Sequence, residues 1–186
     1  DFHGRALKAV EELRAKGYNP FDLKNEVGNR PGADKPVEHL GIGKKVAYAE
    51  GHNYYSGYTA GGDDALVNGI LGGWSYSDQL WQGFLKDIDL TIDLEKETAN
   101  KNVGADFMQI CSPPGIMPKH GLISVSNDGK EFTELAKIDH QVVKDDAVTF
   151  KNFGWEGEAN ARYVRYQAEI DRNFGGFLFV DEIVIK

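Results

Sequence analysis

The chain has 186 residues, 41% hydrophobic and 11% aromatic, enough for one domain with a buried core and an attached segment. A formal net charge of −8, with no Lys/Arg cluster to offset it locally, argues against nucleic acid or an anionic membrane surface as a partner. No apolar run approaches the roughly 20 residues of a membrane-spanning helix, and the single cysteine, Cys111, excludes an intramolecular disulfide or a cysteine-rich zinc site.

The chain starts at Asp1, with neither an initiator Met nor a basic-then-apolar leader, and reads as a piece of a longer protein. Leu7, Val10 and Leu13 recur at helical spacing, and Gly17 and Asn19-Pro20 end that pattern. Residues 20–43 hold Pro20, Pro31, Pro36 and several glycines, which predicts an extended linker with a short helical turn around 21–27.

From Lys44 onward the period becomes two. A strand is predicted over 45–48 and a clearer one over 87–94, where Ile88, Leu90, Ile92 and Leu94 alternate with polar residues. That alternation turns Asp87, Asp89 and Asp93 toward solvent, which is a simpler reading than a catalytic or metal-binding carboxylate cluster. Further strands are predicted at 103–110, 121–126, 131–138, 147–153, 162–170 and 177–185. Asp128-Gly129 supplies a tight hairpin turn between the strands at 121–126 and 131–138. About eight short strands without alternating helices indicate an all-β sandwich or jelly roll over residues 44–186. Cys111, between Ile110 and Ser112, is expected to be a buried small hydrophobe at a strand end.

Enzymatic signatures are missing from this stretch. The glycine-rich segments 61–64 and 69–73 lack the Lys-Ser/Thr of a phosphate loop, and no Gly-x-Ser-x-Gly elbow occurs. His3, His39, His52, His120 and His140 show no metal-ligand spacing.

Three segments in order carry a family resemblance: Ala65-Leu66-Val67-Asn68-Gly69-Ile70-Leu71-Gly72-Gly73-Trp74, then Ser124 to Phe132, then Ala161 to Tyr166 followed by Phe179 to Ile185. Together they resemble the discoidin, or coagulation-factor C-type (galactose-binding-like), family. Four more stretches are similar to the C-terminal module of bacterial β-N-acetylhexosaminidases (chitobiases): Gly72 to Tyr76, Trp81 to Phe84, Ala105 to Gln109, and Phe153 to Gly157. The resemblance implies a discoidin-like jelly roll at 44–186 that binds glycans containing galactose or N-acetylhexosamine and does no chemistry itself. Residues 1–43 would then connect it to the catalytic domain of a secreted, periplasmic or cell-surface glycosidase. The rival expectation is a structural module that packs on that catalytic barrel and binds no sugar. A protein- or lipid-binding discoidin domain is a third, and the acidic charge disfavours its lipid version.

The resemblance also implies a structural Ca²⁺. Its ligands would be the carbonyls of Ala65, Ile70, Gly73 and Asp181 and the side chains of Asn68 and Glu182. Asn68 stands where the family usually has Asp, which removes a charge from the site. Asp181 and Glu182, adjacent on a strand, are expected to point to opposite faces. For the sugar, loop aromatics would stack on the ring while polar groups hold the hydroxyls. The candidates are Tyr54, Trp74, Tyr76, Asp78, Trp81, Asn173 and Phe174. Trp81 and Phe84 lead into a strand, so one of them is expected to be core. Phe174 is expected to stand exposed on its glycine-rich turn.

Overall fold

The computed structural model describes residues 35–76, 79–111, 114–143 and 148–186, with Arg5 and Lys8, whose backbone is helical. The expected helix positions Leu7, Val10 and Leu13 and the turn at 21–27 lie outside these residues.

The described chain is all-β, with seven antiparallel strands: β1 (Lys45–Tyr48), β2 (Gln82–Phe84), β3 (Ile88–Gln109), β4 (His120–Ser126), β5 (Thr133–Asp139), β6 (Thr149–Glu169) and β7 (Leu178–Ile185). The count differs from the expected eight for a physical reason. The predicted pair 87–94 and 103–110 is one continuous strand, β3, and the pair 147–153 and 162–170 is another, β6. Register shifts between Asp93 and Thr98, and between Asn100 and Asn102, absorb the polar stretch between the two halves of β3. Glu95 there has a φ of 75°. The added strand, β2, is only three residues long and fully buried, so it shows no alternation.

The register folds this one hydrogen-bonded sheet into two layers. The first half of β3 (Ile88–Asp93) pairs with β1 and with the second half of β6, which in turn pairs with β4, and β4 with β5. The second half of β3 (Asn102–Gln109) pairs with the first half of β6 and with β7, which pairs with β2. The core lies between the layers. Ile88, Leu90, Ile92, Ile123, Val164 and Tyr166 come from one side, and Val103, Ala105, Phe107, Phe153, Val180 and Ile183 from the other. Each fully buried aliphatic or aromatic side chain contributes roughly 1.5–3 kcal/mol. A second, smaller cluster of Trp81, Met108 and Phe179 sits on the other face of β3 and β7.

The three outward aspartates of β3 are engaged. Asp89 receives Arg165 in two-pronged fashion at 2.9 and 2.7 Å, Asp93 receives Arg162 at 2.9 and 3.0 Å, and Asp87 accepts the Ile170 amide. Cys111 is exposed rather than buried, because β3 ends at Gln109 and the chain turns there.

The segment ahead of β1 is tied to the sandwich. The Val37 amide donates to the Gly69 carbonyl, Leu40 to Ile185 and Gly43 to Val67. These bonds begin seven residues before the boundary expected at Lys44.

Candidate functional site

Beside the smaller cluster on the outer face of β3 and β7 lies a cavity of about 460 Å³ lined by Gly57, Tyr58, Thr59, Ala60, Gly61, Tyr76, Gln79 and Trp81. The loop at 57–61 is pinned to β2. The Tyr55 amide donates to the Gly83 carbonyl and the Gly83 amide to the Tyr58 carbonyl, at 2.8 and 2.9 Å. Position 83 must be glycine for this approach: a Cβ there would lie 2.9 Å from Tyr58 Cβ and 3.0 Å from the Phe179 ring. Buried Gln82 holds the next part of the loop by donating to the carbonyls of Thr59 and Gly62.

Tyr58 and Tyr76 are half-buried, with ring centroids 5.7 Å apart and edges to faces. Burial, followed by the neighbouring Tyr76 and Tyr55 hydroxyls, raises the Tyr58 phenol above its ordinary value, so it is a neutral hydrogen-bonding group. Thr59 and Gln79 add polar groups to the wall. Two of the three described non-glycine residues with positive φ, Ala60 at 52° and Gln79 at 61°, lie on this cavity. Such backbone persists only where the surrounding structure over-determines it, and it clusters at ligand sites.

The residues expected to bind sugar separate into groups. Tyr76 and Trp81 meet at the cavity. Trp81 is only 1% exposed, and its indole stacks on Phe150 at 5.8 Å while Nε1 donates to the Gly73 carbonyl. A ring without an exposed face offers no platform, so Trp81 is a wall and not a stacking surface. Phe84 is buried as well. Trp74 is half-buried with its ring 5.4 Å from Phe150. Tyr54 lies elsewhere, in a hollow of about 350 Å³ with Asn53, Tyr55 and Leu85. Its hydroxyl donates to Asp63 at 2.6 Å, and that bond, with burial, pushes its pKa to about 12. Phe174 is half-buried against the main core rather than exposed. Its amide donates to the Asp171 carbonyl, which folds the turn back on the sandwich, and the exposed Asn173 bonds Asp171 Oδ1. Asp78 lies outside the described residues. Sequence reasoning passed over Tyr58 and Thr59. The available signal was the aromatic- and glycine-rich run Tyr54 to Gly62.

Of the region expected around Ca²⁺, the turn Ala65–Val67 and the loop after it meet β7, where Glu182 is bonded to Gly69 and Asp181 to Gly72. The expected ligand oxygens are committed differently. Asn68 is exposed and its Oδ1 accepts the Ile70 amide at 2.9 Å. The Gly73 carbonyl accepts Trp81 Nε1. Glu182 Oε2 accepts the Gly69 amide and His39 Nε2, both at 2.6 Å, and Glu182 Oε1 is buried without a partner. Asp181 enters through its carboxylate, which accepts the Gly72 amide at 2.9 Å. Burial raises the Glu182 carboxyl above its ordinary value, opposed by His39 and then the Gly69 amide. Ca²⁺ requires six to eight oxygens. With Asn68 Oδ1 and Glu182 Oε2 bonded to N–H donors, an imidazole against the carboxylate and Glu182 Oε1 the one oxygen of these two side chains left open, this set does not fit the ion. Among the described residues no group of three or more His, Cys, Asp or Glu side chains could hold a metal.

The expected alternation of Asp181 and Glu182 fails through a bulge. Ala105 pairs with Ile183 and Phe107 with Val180, so β7 has one residue more than β3 across this interval. The bulge lets both buried carboxylates reach the same loop.

No family model matches the chain, and no curated protein matches it. Solved structures share its fold. Chitosan-binding module 1 of a chitosanase/glucanase from Paenibacillus sp. IK-5 is 13% identical with a TM-score of 0.53, over 81% of this chain and 99% of the module. A Ruminococcus gnavus GH29 fucosidase in complex with fucose is 17% identical with a TM-score of 0.54, over 80% of this chain and 26% of the fucosidase. A Clostridium perfringens protein, CpGH89CBM32-4, is 12% identical with a TM-score of 0.51, over 80% of this chain and 98% of that one. At these identities the likeness is one of fold: a jelly-roll sandwich of the kind that carbohydrate-binding modules have.

Proposed function

We propose that the chain is a noncatalytic carbohydrate-binding module of a secreted bacterial glycosidase, a chitobiase-like β-N-acetylhexosaminidase, and that its glycans carry galactose or N-acetylhexosamine. The observation that carries this reading is the cavity between the loop at 57–61 and the residues Tyr76, Gln79 and Trp81. It joins two half-exposed tyrosine rings to the polar side chains of Thr59 and Gln79 on a strained backbone. A sugar needs both kinds of surface: apolar ring faces against its C–H side, and fixed donors and acceptors for its hydroxyls. The module from Paenibacillus, with the same fold, is named for binding chitosan, a polymer of amino sugars. Attached to a catalytic domain, the module would raise the local concentration of substrate without adding catalytic contacts.

Calorimetric titration with N-acetylglucosamine oligomers and with galactosides tests the proposal. Binding is expected, and Tyr76→Ala should weaken it about tenfold, a loss of about 1.4 kcal/mol, while leaving the fold intact. Absence of binding to every amino sugar and galactoside would overturn it and leave the structural-module reading.

A further inference from the structure

We infer that His39 takes the place of a cation in this module: the loop over residues 65–73 is fastened to β7 by the chain's own N–H donors. This inference rests on the geometry of the loop and not on sugar binding.

The geometry fixes the role of each nitrogen. The Gly41 amide donates to His39 Nδ1 at 3.0 Å, so Nδ1 is an acceptor and carries no proton. The ring proton is therefore on Nε2, which points at Glu182 Oε2, 2.6 Å away. Both side chains are completely buried. The same oxygen receives the Gly69 amide, and the neighbouring Asp181 carboxylate receives that of Gly72. A buried carboxylate needs compensation, which a bound Ca²⁺ would supply by charge and which here comes from N–H groups on Glu182 Oε2 and on Asp181, while Glu182 Oε1 has no partner. Asn68, with no charge to offer a metal, turns to cap Ile70 in its own loop.

His39 can reach the site because the segment ahead of β1 lies along the loop. The Val37 amide bonds the Gly69 carbonyl, and the Gly43 amide bonds the Val67 carbonyl. Gly69 has a φ of 78°, and a Cβ there would fall 2.7 Å from the Val37 carbonyl, so loop and segment are fitted to each other. The fastening extends to the cavity wall: Gly72 is held by Asp181, and the Gly73 carbonyl takes the indole N–H of Trp81. Residues 37–43 are therefore part of the module, with His39 as a positioning residue for its loop.

The test is thermal unfolding of the full chain in EDTA and in CaCl₂, with a calorimetric calcium titration. A calcium staple at roughly 100-fold excess over its Kd would raise the Tm by about 5–10 °C. The inference predicts the same Tm in both buffers and no calcium heat. His39→Ala should lower the Tm by about 10 °C, because it strips the donor from a buried carboxylate. His39→Gln, which places an N–H donor as many bonds from Cα as His Nε2 but lacks the ring nitrogen that accepts the Gly41 amide, should recover part of that loss. A wild-type Tm that rises with calcium overturns the inference, as does a His39→Ala variant that melts with the wild type. The wild-type titration decides the matter if His39→Ala does not fold.

Discussion

The Tyr48 hydroxyl donates to Gln82 Oε1 at 2.8 Å, and this orients the Gln82 amide so that its nitrogen faces the carbonyls of Thr59 and Gly62, each 3.0 Å away. Burial holds the Tyr48 phenol far above its ordinary pKa, so it remains a donor. Gln82 is itself completely buried. One amide thereby fixes the rim of the cavity from beneath. Gln82→Leu preserves the bulk and leaves the buried partners unsatisfied, at a cost of about 1–3 kcal/mol in denaturant unfolding. The same variant should weaken glycan binding. Wild-type affinity together with lowered stability would show that the rim plays no part in recognition.

The burial of Trp81 predicts a different phenotype from that of an exposed sugar-stacking ring. Trp81→Ala should cost about 3–5 kcal/mol in equilibrium unfolding, as expected for a large side chain removed from a packed cluster. Trp81→Phe retains much of the packing against Phe150 but loses the donor to the Gly73 carbonyl, at a cost of about 1 kcal/mol. Its glycan affinity should stay within a few-fold of wild type, as measured by calorimetry.

Asp93 on β3 and Arg162 on β6 give the stability a defined pH dependence. The Arg162 guanidinium, helped by the Glu95 amide, holds the Asp93 carboxyl below the usual carboxylate range. The group is depressed in the folded state, so its stabilising contribution is complete above the ordinary carboxylate pKa. That contribution is lost as the pH falls through the lowered folded value. Asp93→Asn should flatten the Tm-versus-pH curve in this acidic window and leave its shape near neutrality unchanged. The difference between the two proteins should shrink with added salt, because both side chains are partly exposed.

How far the sequence could be read depended on how local the physics was. Ile88, Leu90 and Ile92 alternate because one face of β3 is wet, and that pattern is visible without a structure. The hairpin at Asn127–Lys130 was legible too. Gly129 takes a φ of 75°, and Asp128 Oδ1 accepts the amides of Lys130 and Glu131. The fold class follows from such features. The site does not, because it depends on contacts distant in sequence. His39 and Glu182 are 143 residues apart. Trp81 looks like a loop aromatic until Phe150 and Phe179 close over it. The bulge at Asp181–Glu182 has no glycine or proline to announce it, and Tyr58 becomes a cavity wall only through its pairing with Gly83.

Gly72 offers the strictest test of how loop and cavity are joined. A Cβ built on it would lie 2.3 Å from Trp81 Cε2 and 2.4 Å from Nε1, so the indole lies directly on the glycine. The ring cannot retreat, because it is stacked on Phe150 and bonded to the Gly73 carbonyl. The backbone cannot retreat either without breaking the Gly72 amide bond to the buried Asp181 carboxylate. Gly72→Ala must therefore displace the indole or release Asp181. Overpacking of this kind costs about 1–3 kcal/mol, and a buried carboxylate that loses a donor adds to that. The expected result is a Tm lowered by about 5 °C or more, with a shifted Trp81 indole resonance. By contrast Gly61→Ala, at an exposed position with open space around it and a φ of 106°, should be penalised only by backbone strain and should leave the indole resonance in place. If Gly72→Ala and Gly61→Ala behaved alike, the loop at 65–73 would not be coupled to the cavity through Trp81.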